Sequence, residues 1–515
     1  MSRERLAMMG QKDRSFAPLP PVSLDGLVPA DHFYRHLERT LDLSFVRNLV
    51  RHVYADIGRP SIDPVVFFKL QLILFFEDLR SERQLMQVVA DRLSLRWYVG
   101  YDLTESLPDH SSLTRIRERY GLEVFRRFFE AIIEQCIQAG LVWGRELYFD
   151  ATKVEANASL DSVGPRFAVE AHLGTIFEPA ETEAPSDADE GSDGESPTLL
   201  PLALTAEARA TLANAAAHRH DWIGEAGRPD RTVIRGEYRR TADFRASATD
   251  PDASLMRFPG GGVDLGYHDH YVVDGGKARV VLAALVTPAE VMENQPMLDL
   301  LWRVCFRWKL RPRQVTGDTA YGTTENIVAI EDAGIRAYVS LPDFDHRTPF
   351  FGRDRFTYQP DRDAYRCPGG QELRFRKHKY TERTRVYQAP ATVCNACPLK
   401  TQCTESAKGR QLKRSFDEAY LERVRAYHGT EAYAKARRKR QVWVEPLFAE
   451  AKAWHGLSRF RLRELPKVNG EALLIAAGQN VKRLLSWRGW GRRPFPSGAA
   501  GIVLPALLPL PVLTP

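Results

Sequence analysis

Three acidic residues stand where this chain could do chemistry on phosphate. Asp150 closes the short apolar run Leu147-Tyr148-Phe149. Asp318 follows the strand-like Gln314-Val315-Thr316, after Gly317 has opened the backbone. Ligands collect at the carboxyl ends of strands in α/β sheets, so both aspartates are read as strand-end residues at such an edge. Glu445 precedes Pro446. Proline disfavours helical geometry in the residue before it, so a helix is expected to start or kink at Glu445. Carboxylates gathered from such positions can hold two divalent ions, which activate a water or a sugar hydroxyl and neutralise the leaving oxygen of a phosphodiester. Magnesium suits the task because it takes oxygen ligands and needs few protein carboxylates. Any one of these aspartates could equally cap a turn, so the reading rests on the three together.

A second cluster is sulfur. Cys394 and Cys397 have knuckle spacing, Cys403 follows six residues on, and Cys367 lies upstream. Four thiolates suit a tetrahedral structural Zn²⁺. With no second CxxC, free or redox-labile thiols stay open as the alternative. Cys136 and Cys305 lie on apolar helix faces and read as core. His268 and His270 alternate along one strand without a third nearby ligand, which argues against zinc there. Asp250 and Asp252 flank Pro251 and read as an Asx turn; Asp264, Asp269 and Asp274 read as polar hairpin positions.

The elements that must position these groups form an α/β mixed sheet with helices, interrupted by insertions and preceded by an all-α domain. Residues 1–30 read as a flexible arm and 31–143 as an all-helical domain for DNA binding or dimerisation. Within it Asp63-Pro64 is a cap followed by a first-turn proline. Arg115, Arg117 and Arg119 are expected on the outer face of a helix, with Leu113 and Ile116 inside. Arg115 is then a DNA-contact candidate, a solvated basic face being the equal alternative. Residues 144–177 and 245–343 form the first part of the sheet domain, with Thr323 or Thr324 capping a helix and a hairpin at Gly275-Gly276. Residues 178–244 are acidic and too poor in apolar groups to fold, apart from a short Ala-rich helix. Residues 344–413 form a Cys-containing, zinc-ribbon-like insert. Residues 414–486 end the domain with the acidic helix, and 487–515 are a basic, then apolar, Pro-broken tail.

The net charge of +6 over 515 residues is mild. Its placement is not: Lys and Arg concentrate between Lys408 and Arg463 and again from Arg488 to Arg493, with Trp and Tyr interspersed. That pattern suits phosphate contacts and base stacking. Arg438, Arg440, Arg459 and Arg461 are therefore candidates for binding double-stranded DNA. No stretch is long and apolar enough to span a bilayer, and residues 1–20 lack the apolar run of a secretory signal, so no membrane role and a cytoplasmic location are expected.

Taken in order, several segments carry a family resemblance. They are PDHSSLTRIRERYG from Pro108, YFDATKVEANAS from Tyr148, TDPDASLMR from Thr249, LGYHDHYVVD from Leu265, LVTPAEVMENQPML from Leu285, GDTAYGTTEN from Gly317 and WVEPLFAEAKAWHGLSRFRLR from Trp443. Together they resemble DDE-type insertion-sequence transposases over most of 27–485. The resemblance implies an RNase H-like core in which Asp150, Asp318 and Glu445 are catalytic ligands for Mg²⁺ or Mn²⁺. It implies hydrolysis at transposon inverted-repeat ends, then attack of the freed 3′-hydroxyl on target DNA. It also implies a bacterial, nucleoid-associated protein working as a homo-oligomer on DNA. Glu445 and Lys452 match the family's Glu-x6-Lys pattern. Seven residues are two helical turns, so both share a face and Lys452 can reach a phosphate near the metals. Lys153, three residues beyond Asp150, is a further DNA-contact candidate. The Tyr and Arg that relatives carry seven and four positions before the Glu are here Arg438 and Gln441, with Arg440 as the substitute. Glu445 rather than Glu450 is taken as the ligand. The alternatives are a catalytically inactive DNA-binding relic, against which the intact Asp150, Asp318, Glu445 and Lys452 argue, and an RNase H-like structure-selective nuclease.

Overall fold

The structure is a computed structural model, described here for residues 23–54, 61–165, 245–342 and 348–491. The acidic stretch 178–244 with its short helix, and the apolar tail, lie outside the described residues. The chain divides into two compact units, residues 1–117 with 485–515, and residues 118–484.

In the first unit α1 (Leu24–Leu27), α2 (Phe33–Thr40), α3 (Phe45–Val50), α4 (Pro64–Phe76), α5 (Glu82–Asp91) and α6 (Leu93–Val99) precede the start of α7 (His110–Gln138). α1 begins inside the stretch expected to be a loose arm, with Leu24 and Val28 buried. α4 starts as the sequence implies, Asp63 Oδ1 accepting from Val65 N at 2.9 Å with Pro64 in the first turn. Phe67, Phe68, Leu70, Leu72 and Ile73 are all buried, so α4 is apolar on every side and forms the centre of this unit. The expectation for Arg117 fails. It is buried and paired with Glu82, which is buried too and also accepts from the Thr114 hydroxyl at 3.0 Å. A buried arginine is tolerated when its charge is met in this way. α7 is helical on both sides of Gly121, whose φ of 61° interrupts it.

The second unit holds the strands β1 (Glu146–Glu155), β2 (Val163–Pro165), β3 (Arg245–Ser247), β4 (Ser254–Arg257), β5 (Val263–Asp274) and β6 (Val281–Pro288). α8 (Met297–Trp308), β7 (Gln314–Thr316), α9 (Thr324–Asp332) and β8 (Arg336–Tyr338) follow. The main sheet runs β4-β5-β1-β7-β8, with β6 also on β5. β5 is antiparallel to β1, β4 and β6, whereas β1, β7 and β8 are parallel. β5 is buried from Leu265 to Asp274, as a strand with neighbours on both edges and layers on both faces must be. Thr323 caps α9 by accepting from Asn326 N.

Residues 348–415 add a separate antiparallel sheet. β9 (Thr357–Gln359), β10 (Ala364–Arg366), β11 (Glu372–Lys379), β12 (Thr384–Gln388) and β13 (Gln411–Ser415) pair in sequence order, with short helices α10 (Ala391–Asn395) and α11 (Lys400–Cys403) between the last two strands. Phe356, Tyr365, Leu373, Tyr387 and Leu412 form its core. The chain ends in α12 (Glu418–His428), α13 (Glu431–Trp443), α14 (Glu445–Trp454) and α15 (Leu465–Trp487).

α15 finishes the sheet domain with side chains. Asp250 and Asp252 are not merely a local turn: they accept from Glu464 N at 3.0 Å and Leu465 N at 2.8 Å, capping α15 from 213 or more residues away. Asn469 then accepts from Val286 N at 2.8 Å and donates to Val286 O at 2.9 Å. Asn480 makes the same pair of bonds with Val281, both at 2.8 Å. Each amide thus completes the backbone pairing of β6 where a further strand would. Asn480→Leu leaves a buried N–H and C=O unpaired and is expected to destabilise the protein by about 2–4 kcal/mol, read as a lower urea midpoint with unchanged slope.

Candidate active site

Asp150 lies in the middle of β1 rather than at its end. It marks the point where β7 stops and β1 continues against β5 alone. Tyr148 pairs with Thr316 in the parallel register. Asp150 and Asp318 each lie two residues further along, so the register carries them off adjacent strands, whose axes are about 4.8 Å apart. Gly317 makes this corner: a Cβ there would sit 2.9 Å from the Tyr321 side chain. Asp318 Oδ1 accepts from Ala320 N at 2.8 Å. Tyr321 is buried, edge-on to Phe149 with ring centroids 6.4 Å apart.

Glu445 arrives by a helix break. α13 ends at Trp443, Val444 takes φ −100° and ψ −50°, and α14 begins at Glu445 with Pro446 in its first turn. Residues five apart on an unbroken helix would differ in direction by about 140°. Across this break Arg440 and Glu445 turn toward each other. The Arg440 guanidinium lies 3.0 Å from Asp150 Oδ2 and 3.7 Å from Glu445 Oε1. Its neighbour Lys439 anchors α13 beneath the site, 2.5 Å from Glu146 at the start of β1 and 2.5 Å from Gly275 O.

Burial raises the Asp150 carboxyl; Arg440 and the Ala151 N–H oppose that, the charges of Asp318 and Glu445 add to it, and the result is about 6. All three acids therefore share one electrostatic neighbourhood, with more negative charge than Arg440 balances. Glu293, in the turn between β6 and α8, belongs to the same neighbourhood and escaped the sequence reading. Burial and then the Asp318 charge raise its carboxyl, while Lys153 and Arg440 pull it down. His268 Nε2 is 3.8 Å from Glu293. His268 Nδ1 lies 3.1 Å from Val291 O and His270 Nε2 2.9 Å from Thr287 Oγ1, and burial holds His270 down to about 3. Neither histidine is drawn into the site as a ligand.

Glu450 is engaged elsewhere. Its carboxylate pairs with Lys482, lies 3.1 Å from Arg483 and 3.9 Å from His455. Burial would raise its carboxyl, but these partners together hold it well below the ordinary range.

The basic candidates separate. Lys452 donates to Lys153 O at 2.8 Å, and Lys153 to Arg257 O at 2.7 Å. Burial lowers the Lys452 ammonium, against the charge of buried Asp269. The loop carrying Arg459 and Arg461 runs along the end of β1, Phe460 N donating to Glu155 O at 2.9 Å and Arg459 Nε to Ala156 O at 3.1 Å. Arg438 is exposed. Arg440 is not a free surface cation, because the acids engage it. Arg115 is exposed on the first unit.

Among the described residues no group of three or more His, Cys, Asp or Glu already stands at the spacing of a bound ion. The donor set nevertheless fits a hard cation: all-oxygen, partly buried, over-negative, and with a cationic group already between Asp150 and Glu445.

Residues 22–119 match the model of a transposase domain, DUF772, and residues 366–485 match that of a transposase DDE domain. The second match includes Glu445 and Lys452 but neither Asp150 nor Asp318. No curated protein and no solved structure matched the chain.

Proposed function

We propose, from the premise that these two matches are those of a DDE-type insertion-sequence transposase, that the chain cuts DNA at the ends of its element and joins the freed 3′-hydroxyls to target DNA. The observation that supports this reading is Arg440 lying between Asp150, at 3.0 Å, and Glu445, at 3.7 Å, from remote segments, with Asp318 near enough for its charge to raise the Asp150 carboxyl. The sheet supports an RNase H-like core. Its order is third, second, first, fourth and fifth main strand (β6, β5, β1, β7, β8), with the second antiparallel.

In this reading Asp150, Asp318 and Glu445 hold Mg²⁺ or Mn²⁺, which when bound supplies an activated oxygen nucleophile and neutralises the leaving oxygen. The chain's own side chains do the rest. Arg440 offsets the mutual repulsion of the acids and presents positive charge where a phosphate must approach them. Gly317 and the break at Val444 set the directions of Asp318 and Glu445. Lys452, Lys153, Arg459 and Arg461 offer cations along β1 for the DNA backbone, so binding should weaken steeply with salt.

The test is an end-labelled duplex carrying the inverted repeat that flanks the coding sequence, incubated with the full chain and MgCl₂ or MnCl₂. Scission at the repeat boundary leaving a 3′-hydroxyl, lost with chelator, is the expected result. Binding without scission in either metal would make the protein a relic. Scission of branched DNA regardless of the terminal sequence would make it a nuclease.

A further inference from the structure

The cysteine insert carries a site independent of the carboxylates. Cys367, at the end of β10, opens a tight turn: Gly370 N donates to Cys367 O and Cys367 N to Gln371 O, both at 2.9 Å. Gln371 N then donates to the Cys367 sulfur at 3.3 Å. Cys394, in α10, is matched by a second loop, where Arg410 N donates to its sulfur at 3.4 Å. Each loop has a glycine under a sulfur. A Cβ on Gly369 would lie 3.3 Å from Cys397 Sγ and 3.7 Å from Cys367 Sγ; one on Gly409, at φ +87°, would lie 3.5 Å from Cys394 Sγ. Cys403 completes the set at the end of α11. All four thiols line one cavity, walled by Leu373 and Val393. None of them is in a disulfide.

Two loops, each aiming a backbone N–H at a sulfur of one cavity and each with a glycine where the sulfurs crowd the backbone, make an arrangement that apolar packing does not require. Arg410 adds a cation beside Cys403: its guanidinium donates to Cys403 O at 3.0 Å and to Phe351 O at 2.7 Å. We infer that Cys367, Cys394, Cys397 and Cys403 bind one structural Zn²⁺ as a four-thiolate site. Each thiol loses its proton on binding, and rotations about Cα–Cβ bonds bring the sulfurs into a tetrahedron. The ion then ties β10 to α10 and α11, closing an insert whose apolar core is small. A closed tetrathiolate shell leaves no open position for substrate, so the role is structural.

The test uses the full chain, purified under reducing conditions without an immobilised-metal column. Elemental analysis is expected to find about one zinc per chain. It should fall by at least about half in Cys397→Ala and stay in Cys305→Ala. Replacement by Co²⁺ should give the visible d–d bands of a tetrahedral tetrathiolate. If Cys397→Ala does not fold, the cobalt spectrum of the unaltered chain decides. Metal-free protein that takes up neither ion, or a mass lower by two protons per bridge showing disulfides at these positions, would overturn the site. Neither readout depends on DNA cleavage, so this site and the phosphoryl-transfer reading can fail separately.

Discussion

Asp150→Asn is expected to slow scission of the end duplex by at least about a thousandfold, the loss of several kcal/mol of transition-state stabilisation. It should do so without unfolding the protein. In metal-free buffer the Asp150 carboxyl is raised from 3.8 to about 6, so the folded state holds its proton more tightly than the unfolded state does. The folded state therefore loses stability as pH climbs through that window, and the loss is complete above it. Asparagine removes the penalty. The variant should be at least as stable as the parent at pH 7, by at most about 3 kcal/mol because Arg440 loses a partner at the same time. The difference should vanish below pH 3.8. Parallel cleavage assays and thermal melts in chelator check both halves. An inactive variant that is also strongly destabilised would mean Asp150 is a structural residue.

Glu445 and Glu450 should separate in the opposite sense. Glu445→Gln is expected to abolish metal-dependent cleavage with little change in stability, since its carboxylate is half exposed and meets only the outer edge of Arg440. Glu450→Gln should keep cleavage and lose about 3 kcal/mol of stability, because Lys482 and Arg483 are left without their anion. The pH dependence follows from the lowered carboxyl. Its stabilisation is present above the ordinary glutamate value of 4.5 and is lost as pH falls through the folded value. The stability gap between parent and Glu450→Gln should therefore be full at pH 7 and close in acid. Cleavage retained in Glu445→Gln and lost in Glu450→Gln would exchange their roles.

What could be read before the fold was known was local. Asp63-Pro64 and Thr323 cap helices as their types imply, because a cap needs only its own next three residues. Pro446 starts a helix at Glu445 for the same reason. Pairing across the chain was not legible. Nothing in Asp250-Pro251-Asp252 points to the backbone of Glu464 and Leu465, and nothing in Arg117 points to Glu82. Arg440 reads as a DNA contact from its place in a basic cluster; its ion pairs with Asp150 and Glu445 join remote segments, and no local pattern announces them. Glu293 lies inside the family-like segment from Leu285, but nothing in that segment singles it out from Glu290, and its role in the charge balance arises from where the turn after β6 lands.

The amide pairs that Asn469 and Asn480 make with β6 also bear on assembly. An open sheet edge invites a second chain to add a strand, and natural proteins guard against it. Here the guards are two side chains of one long helix, so Val281 and Val286 are closed to strand addition for as long as α15 stays docked. A truncation that removes α15 would expose the edge, and the expected product is not a monomer of reduced activity but a chain that aggregates through β6.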